Sequence, residues 1–209
     1  MITHIIWDFN GTVLDDVDAS VAAVNDMLRI RGLPETTKEK YINSVSLPLD
    51  RYYSGIGIKN TDMSSLSEEF RKYCKKHDDM SHIFEDFYDA AAYAKSLGIK
   101  NILMSSLYID YLYEETEKYK IREYFDDIIG MDDMLVGSKL ENAKMFIKHS
   151  NATPDNILFI GDMVNDAQIA HTLGAHCILI PNGHNSKSKC LAQEVTVVES
   201  LGYIKEYLK

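Results

Sequence analysis

Apolar runs with no solvent-facing alternation recur along this chain and predict buried strands. The first is Ile5-Ile6-Trp7, which ends at Asp8. Further runs predict strands at residues 99–104, around 128–129, at 157–160 and at 176–180. Helices are predicted at 83–97, 109–119, 140–150, 166–173 and 199–208. Strands that alternate with helices indicate right-handed crossovers, so the pattern predicts an α/β fold with a doubly wound, parallel, Rossmann-like sheet of about five strands.

The stretch from residue 15 to residue 81 has a different pattern. Residues 17–31 predict an amphipathic helix, which Gly32 and Pro34 end. The residues that follow are polar-rich and helical, and residues 62–67 offer capping side chains for a further helix. We therefore predict a helical domain at 15–81, inserted after the first strand of a core domain formed by 1–14 and 82–209.

Composition and charge limit the class of partner. The net charge is −10, from 32 acidic against 22 basic residues, and no Lys/Arg block resembles a nucleic-acid footprint. The three cysteines form no CxxC pair, which suits a reducing compartment. No leader-like segment opens the chain, and no apolar stretch approaches membrane-spanning length. We expect a cytoplasmic protein with no nucleic-acid or membrane partner; the sequence does not indicate its oligomeric state.

Polar side chains follow three of the predicted strands, at the point where each strand ends. Asp8 follows the first strand, Ser105 the second, and Asp162 the fourth, with Asp166 close behind. The carboxyl ends of parallel strands meet at one edge of a sheet, so these residues can converge. Facing carboxylates repel and resist desolvation unless a cation neutralises them, and Mg²⁺ suits a site of few carboxylates and a phosphate. Lys139 could balance the remaining charge, although a lone lysine in a loop is more often solvated.

At this point the chain resembles the haloacid dehalogenase-like hydrolase superfamily, in its phosphoglycolate phosphatase-like branch. Residues 8–12, Asp-Phe-Asn-Gly-Thr, resemble the family's nucleophile motif, DxDGT. Ser105 resembles its strand-end Ser/Thr, Lys139 its lysine, and residues 161–166 its GDxxxD metal motif. The insertion at 15–81 looks like the family's first-type helical cap. The motifs occur in the family's order and span nearly the whole chain.

The resemblance implies a Mg²⁺-dependent phosphomonoester hydrolase that acts on a small phosphorylated metabolite. Asp8 would be the nucleophile and form an aspartyl-phosphate. Asp8, Asp162 and the backbone carbonyl of Asn10 would hold Mg²⁺. Ser105, the Ser106 N–H and Lys139 would bind the transferring phosphoryl group. Asp166 would orient a metal-bound water or Lys139, and Thr12 would order the turn.

Asn10 departs from the family pattern, which has at this position the Asp that protonates the leaving oxygen. An amide can donate a hydrogen bond but cannot carry a proton. Positioned acid–base catalysis contributes about 10²–10⁴-fold to rate. The phosphatase is therefore expected to be slow, or selective for good leaving groups such as acyl or aryl phosphates.

Two alternatives stay open at this stage. One is a hydrolase of a carbon–halogen or carbon–phosphorus bond, since those branches also lack the second Asp. The other is a phosphate-binding pseudoenzyme that acts as a sensor or interaction module.

The insertion is expected to set substrate choice, because it closes over the strand ends. Arg51 is a candidate contact for an anionic substrate tail, although a solvated helix end is the commoner role for such a residue. His184 follows the fifth predicted strand and could be a rim residue or a replacement proton carrier. We expect it instead to be an exposed loop histidine.

Overall fold

The computed structural model describes residues 1–59, 62–131 and 138–208. Its main sheet consists of β1 (His4–Trp7), β4 (Lys100–Tyr108), β5 (Asp127–Met131), β6 (Ile157–Gly161), β7 (His176–Leu179) and β8 (Thr196–Val197). The strand order is β5-β4-β1-β6-β7-β8, and every pairing in it is parallel. The prediction of a doubly wound, parallel α/β fold is confirmed.

β1 lies in the middle of this sheet, between β4 and β6. His4 pairs with Lys100 on one side and with Ile157 on the other, and Trp7 pairs with Leu103 and Ile160. All three strands run in the same direction, so the residues after β1 and β6 emerge at one edge, beside the last residues of β4. Asp8, Ser105 and Asp162 lie at this edge.

Helices cover both faces of the sheet. They are α5 (Glu85–Ser96), α6 (Ile109–Lys118), α7 (Lys139–His149), α8 (Val164–Leu173), α9 (Lys187–Leu191) and α10 (Ile204–Tyr207). One apolar core packs around Trp7 and Phe87, and a second around Ile6 and Phe159. Ile6 and Trp7 therefore belong to opposite cores, as the side chains of consecutive residues in a strand should.

A second group of helices follows β1 in the sequence. It comprises α1 (Val17–Arg29), α2 (Lys38–Ser44), α3 (Leu49–Gly55) and α4 (Met63–Lys76). Side chains cap the N-termini of two of these helices. The Thr37 side chain accepts a hydrogen bond from Lys40 N at 3.2 Å, and the Asp62 side chain accepts one from Ser65 N at 2.9 Å. These helices have an apolar core of their own, which includes Met27, Tyr41, Tyr53 and Leu66. We call α1–α4 the cap helices below.

A short antiparallel ribbon connects the cap helices to the rest of the chain. It consists of β2 (Leu14–Asp15) and β3 (His82–Ile83), and Leu14 pairs with Ile83. The apolar pattern did not predict this ribbon, because a strand of two residues carries no periodic signal. It lies at the two positions where the predicted insertion begins and ends.

The structure corrects two further predictions. The sheet has a sixth strand, β8, a two-residue edge strand that is too short to form an apolar run. The predicted terminal helix at 199–208 is only a 3₁₀ turn at Leu201–Tyr203 followed by α10. Gly202 falls within that turn and donates its N–H to Asp86 Oδ2 at 3.0 Å, a bond made to another element instead of along a helix.

Candidate active site

Three carboxylates meet at the carboxyl ends of β1 and β6. Asp8 follows β1, Asp162 follows β6, and Asp166 lies in the first turn of α8. One oxygen of each carboxylate lies within 4.8 Å of one oxygen of each of the others. Asp162 and Asp166 are buried, and the side chain of Asp8 is 13% exposed. The structure thus brings together the residues that the strand pattern placed at one edge.

Lys139 bridges two of these carboxylates. It is the first residue of α7, and Ser138 caps that helix by accepting a hydrogen bond from Glu141 N. The Lys139 ammonium donates to Asp8 Oδ1 and, at 2.6 Å, to Asp166 Oδ1. Only 5% of Lys139 is exposed, so the expectation that a lone lysine here is solvated is wrong. Burial would lower its pKa, but the charges of Asp166 and Asp8 raise the pKa above its usual range.

A single lysine cannot neutralise three carboxylates, so the cluster keeps an excess of negative charge. Burial raises the pKa of Asp8 to about 6, although the charge of Lys139 opposes the shift. Burial also raises the pKa of Asp162 well above its ordinary value, and the charges of Asp8 and Asp166 add to this effect. A divalent cation would favour the ionised form of both groups, and clustered carboxylate oxygens are the ligands that Mg²⁺ and Ca²⁺ prefer. The donor set therefore fits such an ion.

Glycines let the chain pass close to Asp162. Gly11 adopts a φ of 74°, and a Cβ at this position would overlap the Asp162 carboxylate; a Cβ at Gly183 would overlap it too. Thr12 Oγ1 donates to Asp162 Oδ1 at 3.1 Å, and His184 N donates to Asp162 Oδ2 at 2.5 Å. The carboxylate is thus held between the turn after β1 and the loop after β7.

Asp16 organises a polar network that the sequence did not predict. Its carboxylate accepts from Asn10 Nδ2 at 2.8 Å and from Gly11 N at 2.9 Å. His184 Nε2 lies 3.1 Å from the same carboxylate, and His184 Nδ1 lies 3.0 Å from the hydroxyl of Tyr41 in α2. The network thus extends from the loop after β1 through the loop after β7 to a cap helix.

His184 is buried, so the expectation of an exposed loop histidine is wrong. Burial would lower its pKa, but the charge of Asp16 and the hydrogen bond to Asp16 raise the pKa to about 9. Burial would raise the pKa of Asp16, and yet His184, Asn10 and Gly11 hold it below its ordinary value. The pair is therefore an imidazolium and a carboxylate at neutral pH. In the sequence, the position of His184 just after a sheet strand was the signal that could have identified it as a site residue. For Asp16 there was no such signal beyond its position before α1.

A cavity of about 350 Å³ opens above the carboxylates, between the strand ends and the cap helices. Asp8, Asn10, Ser105, Ser106 and Lys139 line it from the sheet side. Ser105 is buried, and its Oγ accepts from Leu107 N at 3.1 Å, whereas Ser106 is exposed. The roles assigned to these residues stay predictions.

The structure does not bring Arg51 to this cavity. Arg51 is exposed on α3, while its neighbours Tyr52 and Tyr53 are buried and line the cavity instead. Arg71 of α4, which the sequence analysis did not single out, is half-buried and lines the cavity. Among the described residues, no helix has the length and apolarity required to cross a membrane.

Residues 5–180 match the family of haloacid dehalogenase-like hydrolases. Phosphoglycolate phosphatase 1 from Pseudomonas aeruginosa is 25% identical over 205 residues, which cover 93% of this chain and 75% of that protein. A phosphoglycolate phosphatase from Aliivibrio fischeri is 25% identical over 88% of this chain and 86% of its own length.

A solved structure of a haloacid dehalogenase-like family hydrolase from Streptococcus pneumoniae has the same fold. It superimposes with a TM-score of 0.87 at 18% identity, covering 100% of this chain and 99% of that one. The family match spans most of the sequence and includes the strands that carry the carboxylates. The chain belongs to the haloacid dehalogenase-like hydrolases, and the relatives from Pseudomonas aeruginosa and Aliivibrio fischeri named above are phosphatases.

Proposed function

We propose that this protein is a Mg²⁺-dependent phosphomonoester hydrolase that acts on a small phosphorylated metabolite through an aspartyl-phosphate at Asp8. One observation carries the proposal. Asp8, Asp162 and Asp166 lie within 4.8 Å of one another at the base of a cavity, and Lys139 bridges two of them. A buried cluster of this kind has little structural purpose, because its carboxylates repel one another unless a cation binds.

Asp8, Asp162 and the backbone carbonyl of Asn10 would hold the metal ion. When bound, Mg²⁺ supplies positive charge that neutralises phosphoryl oxygens and lets an anionic nucleophile approach an anionic ester. The raised pKa of Asp8 and of Asp162 supports this assignment, since both groups need further positive charge to be fully ionised at neutral pH.

The chain's own residues would perform the transfer in two steps. An oxygen of Asp8 attacks phosphorus, so that a carboxylate O–P bond forms and the ester P–O bond breaks, which releases the alcohol oxygen with its electron pair. Water then attacks phosphorus, the Asp8–phosphorus bond breaks, and inorganic phosphate and a proton leave. Lys139 keeps Asp8 oriented and, with Ser105 and the Ser106 N–H, stabilises the charge on the phosphoryl oxygens.

Asn10 limits which esters can react. Its amide donates to Asp16 and offers no acidic proton to the departing oxygen. The leaving group must therefore depart as an anion or take its proton from solvent, which favours aryl and acyl phosphates over alkyl phosphates.

Turnover of p-nitrophenyl phosphate tests the proposal. We expect hydrolysis with Mg²⁺, loss of hydrolysis in EDTA, and loss in Asp8→Asn that Mg²⁺ does not restore. Substitution of an exposed lysine on the same helix as Lys139, Lys144→Met, is the matched control and should keep the activity. A broad panel of aryl, acyl and alkyl phosphates with no Mg²⁺-dependent turnover would refute the proposal, and tight phosphate binding in that case would indicate a binding protein.

A further inference from the structure

The cavity above the carboxylates has two chemically different ends. The end at the sheet edge carries Asp8, Ser105 and Lys139, which suit a phosphoryl group and its metal ion. The opposite end belongs to the cap helices and to the loops between them. It must receive the organic part of any phosphate ester bound at Asp8, so its chemistry bears on the substrate class.

Apolar and aromatic side chains dominate the cap end. Tyr52 and Tyr53 lie with their ring centroids 5.6 Å apart, and Tyr41 packs edge-on to Tyr52 at 5.8 Å. The other main contributors to this wall are aliphatic or aromatic: Val45, Leu47, Leu49 and Phe70. A charged group bound against these carbon atoms would lose its hydration, and the Tyr52 hydroxyl, buried without a partner among the described residues, could hydrogen-bond to it but not neutralise it.

The charged groups at this end do not favour an anionic tail. Arg71 lies over the ring of Tyr111 at 5.5 Å, but the carboxylates of Glu115 and Asp78 line the same end. Lys118 pairs with both of these acidic groups. Of the other cations in the lining, Lys139 bridges Asp8 and Asp166, and His184 pairs with Asp16. A carboxylate on the substrate would therefore meet the guanidinium of Arg71, but it would also approach the carboxylates of Asp78 and Glu115, which would repel it.

The size of the cavity also favours a bulky apolar organic group. About 350 Å³ lies within the range of pockets that enclose a compact organic ligand of drug-like size. A phosphate with a short polar tail would leave the aromatic wall in contact with water, whereas a ring or a longer alkyl chain would cover it.

We propose that the enzyme prefers phosphate monoesters of bulky apolar alcohols, of the size of a phenyl ring or a hexyl chain, over short esters that bear a carboxylate. This inference rests on the phosphatase function proposed above. It assigns Leu47 and its aromatic neighbours as the residues that determine specificity for the organic group.

Binding of unreactive phosphonates tests the preference without requiring turnover. Methyl-, butyl- and hexylphosphonate and phosphonoacetate are titrated by calorimetry into the full-length protein with Mg²⁺. We expect affinity to rise with chain length, by at least about tenfold from methyl to hexyl, because each added methylene buries apolar surface. Phosphonoacetate should bind no more tightly than methylphosphonate. Affinity that is flat along the series, or highest for phosphonoacetate, would overturn the inference.

Turnover of ethyl and hexyl phosphate gives a second measurement. Both esters release unbranched alkoxides of similar basicity. A higher kcat/KM for hexyl phosphate would therefore reflect contacts of the alkyl chain with the cavity and not a difference in leaving group. If no member of the aryl, acyl and alkyl phosphate panel is hydrolysed with Mg²⁺, the phosphatase proposal fails, and the phosphonate series still decides the preference of the cavity.

A matched pair of variants locates the effect. Leu47 lines the cavity and is 40% exposed, so Leu47→Asn should fold normally and reduce the hexyl-to-methyl affinity ratio by about threefold or more. Ile30 is 62% exposed at the end of α1 and is not among the residues that line the cavity in the described part of the chain. Ile30→Asn should leave the ratio unchanged. Equal ratios in wild type and Leu47→Asn would contradict the assignment.

Discussion

Asn10 Nδ2 donates a hydrogen bond of 2.8 Å to Oδ2 of Asp16, the carboxylate that also receives Gly11 N–H and faces His184. The carboxamide next to the proposed nucleophile is thus held by an acidic partner. An aspartate at position 10 would instead place two carboxylates within hydrogen-bonding distance. Asn10 and Asp16 are therefore best regarded as a pair, because an aspartate at position 10 would either repel Asp16 or share a proton with it.

The first prediction concerns this pair. Asn10→Asp removes a buried hydrogen bond and adds a like charge, so it should lower the free energy of unfolding by about 1–3 kcal/mol. Asn10→Asp combined with Asp16→Asn should recover much of that loss. The amide that the second substitution introduces could donate to the new carboxylate with its nitrogen and still accept from Gly11 and His184 with its oxygen. Denaturant unfolding of both variants measures this.

The same double variant should gain activity on phosphate esters that have poor leaving groups. With a titratable group at position 10, turnover of alkyl phosphates relative to p-nitrophenyl phosphate should rise by roughly 10²-fold. An unchanged ratio in a folded double variant would show that position 10 does not limit the reaction.

Replacement of Lys139 should destabilise the protein, because Lys139 compensates the repulsion between Asp8 and Asp166. Lys139→Met leaves the buried carboxylates of Asp8 and Asp166 without their cation, which should destabilise the metal-free protein by about 3–5 kcal/mol near neutral pH. Lys144→Met removes only an exposed pair with Glu141 and should cost about 0–1 kcal/mol. Chemical unfolding in EDTA compares the two, and equal costs would contradict the ion-pair assignment.

Stabilisation by Mg²⁺ should depend on pH. The pKa of Asp8 rises from 3.8 to about 6 on folding, so the metal-free protein loses stability as pH rises through this window. Above about pH 6 the ionised carboxylate is ready to bind a cation, whereas near pH 5 a proton competes with the metal. The increase in Tm on adding Mg²⁺ should therefore be larger near pH 7.5 than near pH 5. Asp8→Asn should show a smaller increase at pH 7.5, because the variant has lost one carboxylate ligand of the metal.

Two tyrosines of the cap helices should respond in opposite ways to the loss of a hydroxyl. The Tyr41 hydroxyl accepts from protonated His184, so Tyr41→Phe leaves a buried N–H without a partner and should cost about 1–3 kcal/mol. The Tyr52 hydroxyl is buried without a hydrogen-bond partner among the described residues. Tyr52→Phe should therefore keep or raise the free energy of unfolding. Thermal or chemical denaturation distinguishes the two variants, and equal losses would show that the Tyr41–His184 bond contributes nothing.

The strand-end carboxylates could be predicted because parallel strands deliver their last residues to one edge, whatever their separation along the chain. Asp8, Asp162 and Asp166 follow continuous apolar runs, which are the strongest strand signal in the sequence. The pairing of Asp16 with His184 joins residues 168 positions apart; His184 follows the fifth predicted strand, but no local pattern marks Asp16 as its partner. The two-residue strands and the burial of Lys139 also depend on tertiary contacts that no local pattern encodes.

The position of β1 has a consequence for how the chain assembles during synthesis. The middle strand of the sheet is made first, yet its neighbours begin to pair only at Lys100 and Ile157. The cap helices are contiguous in sequence and have their own apolar core, so they can form before β4 and β6 are available to pair with β1. Asp8 can therefore meet Asp162 and Asp166 only after β6 has been synthesised, and the catalytic edge cannot be complete before then.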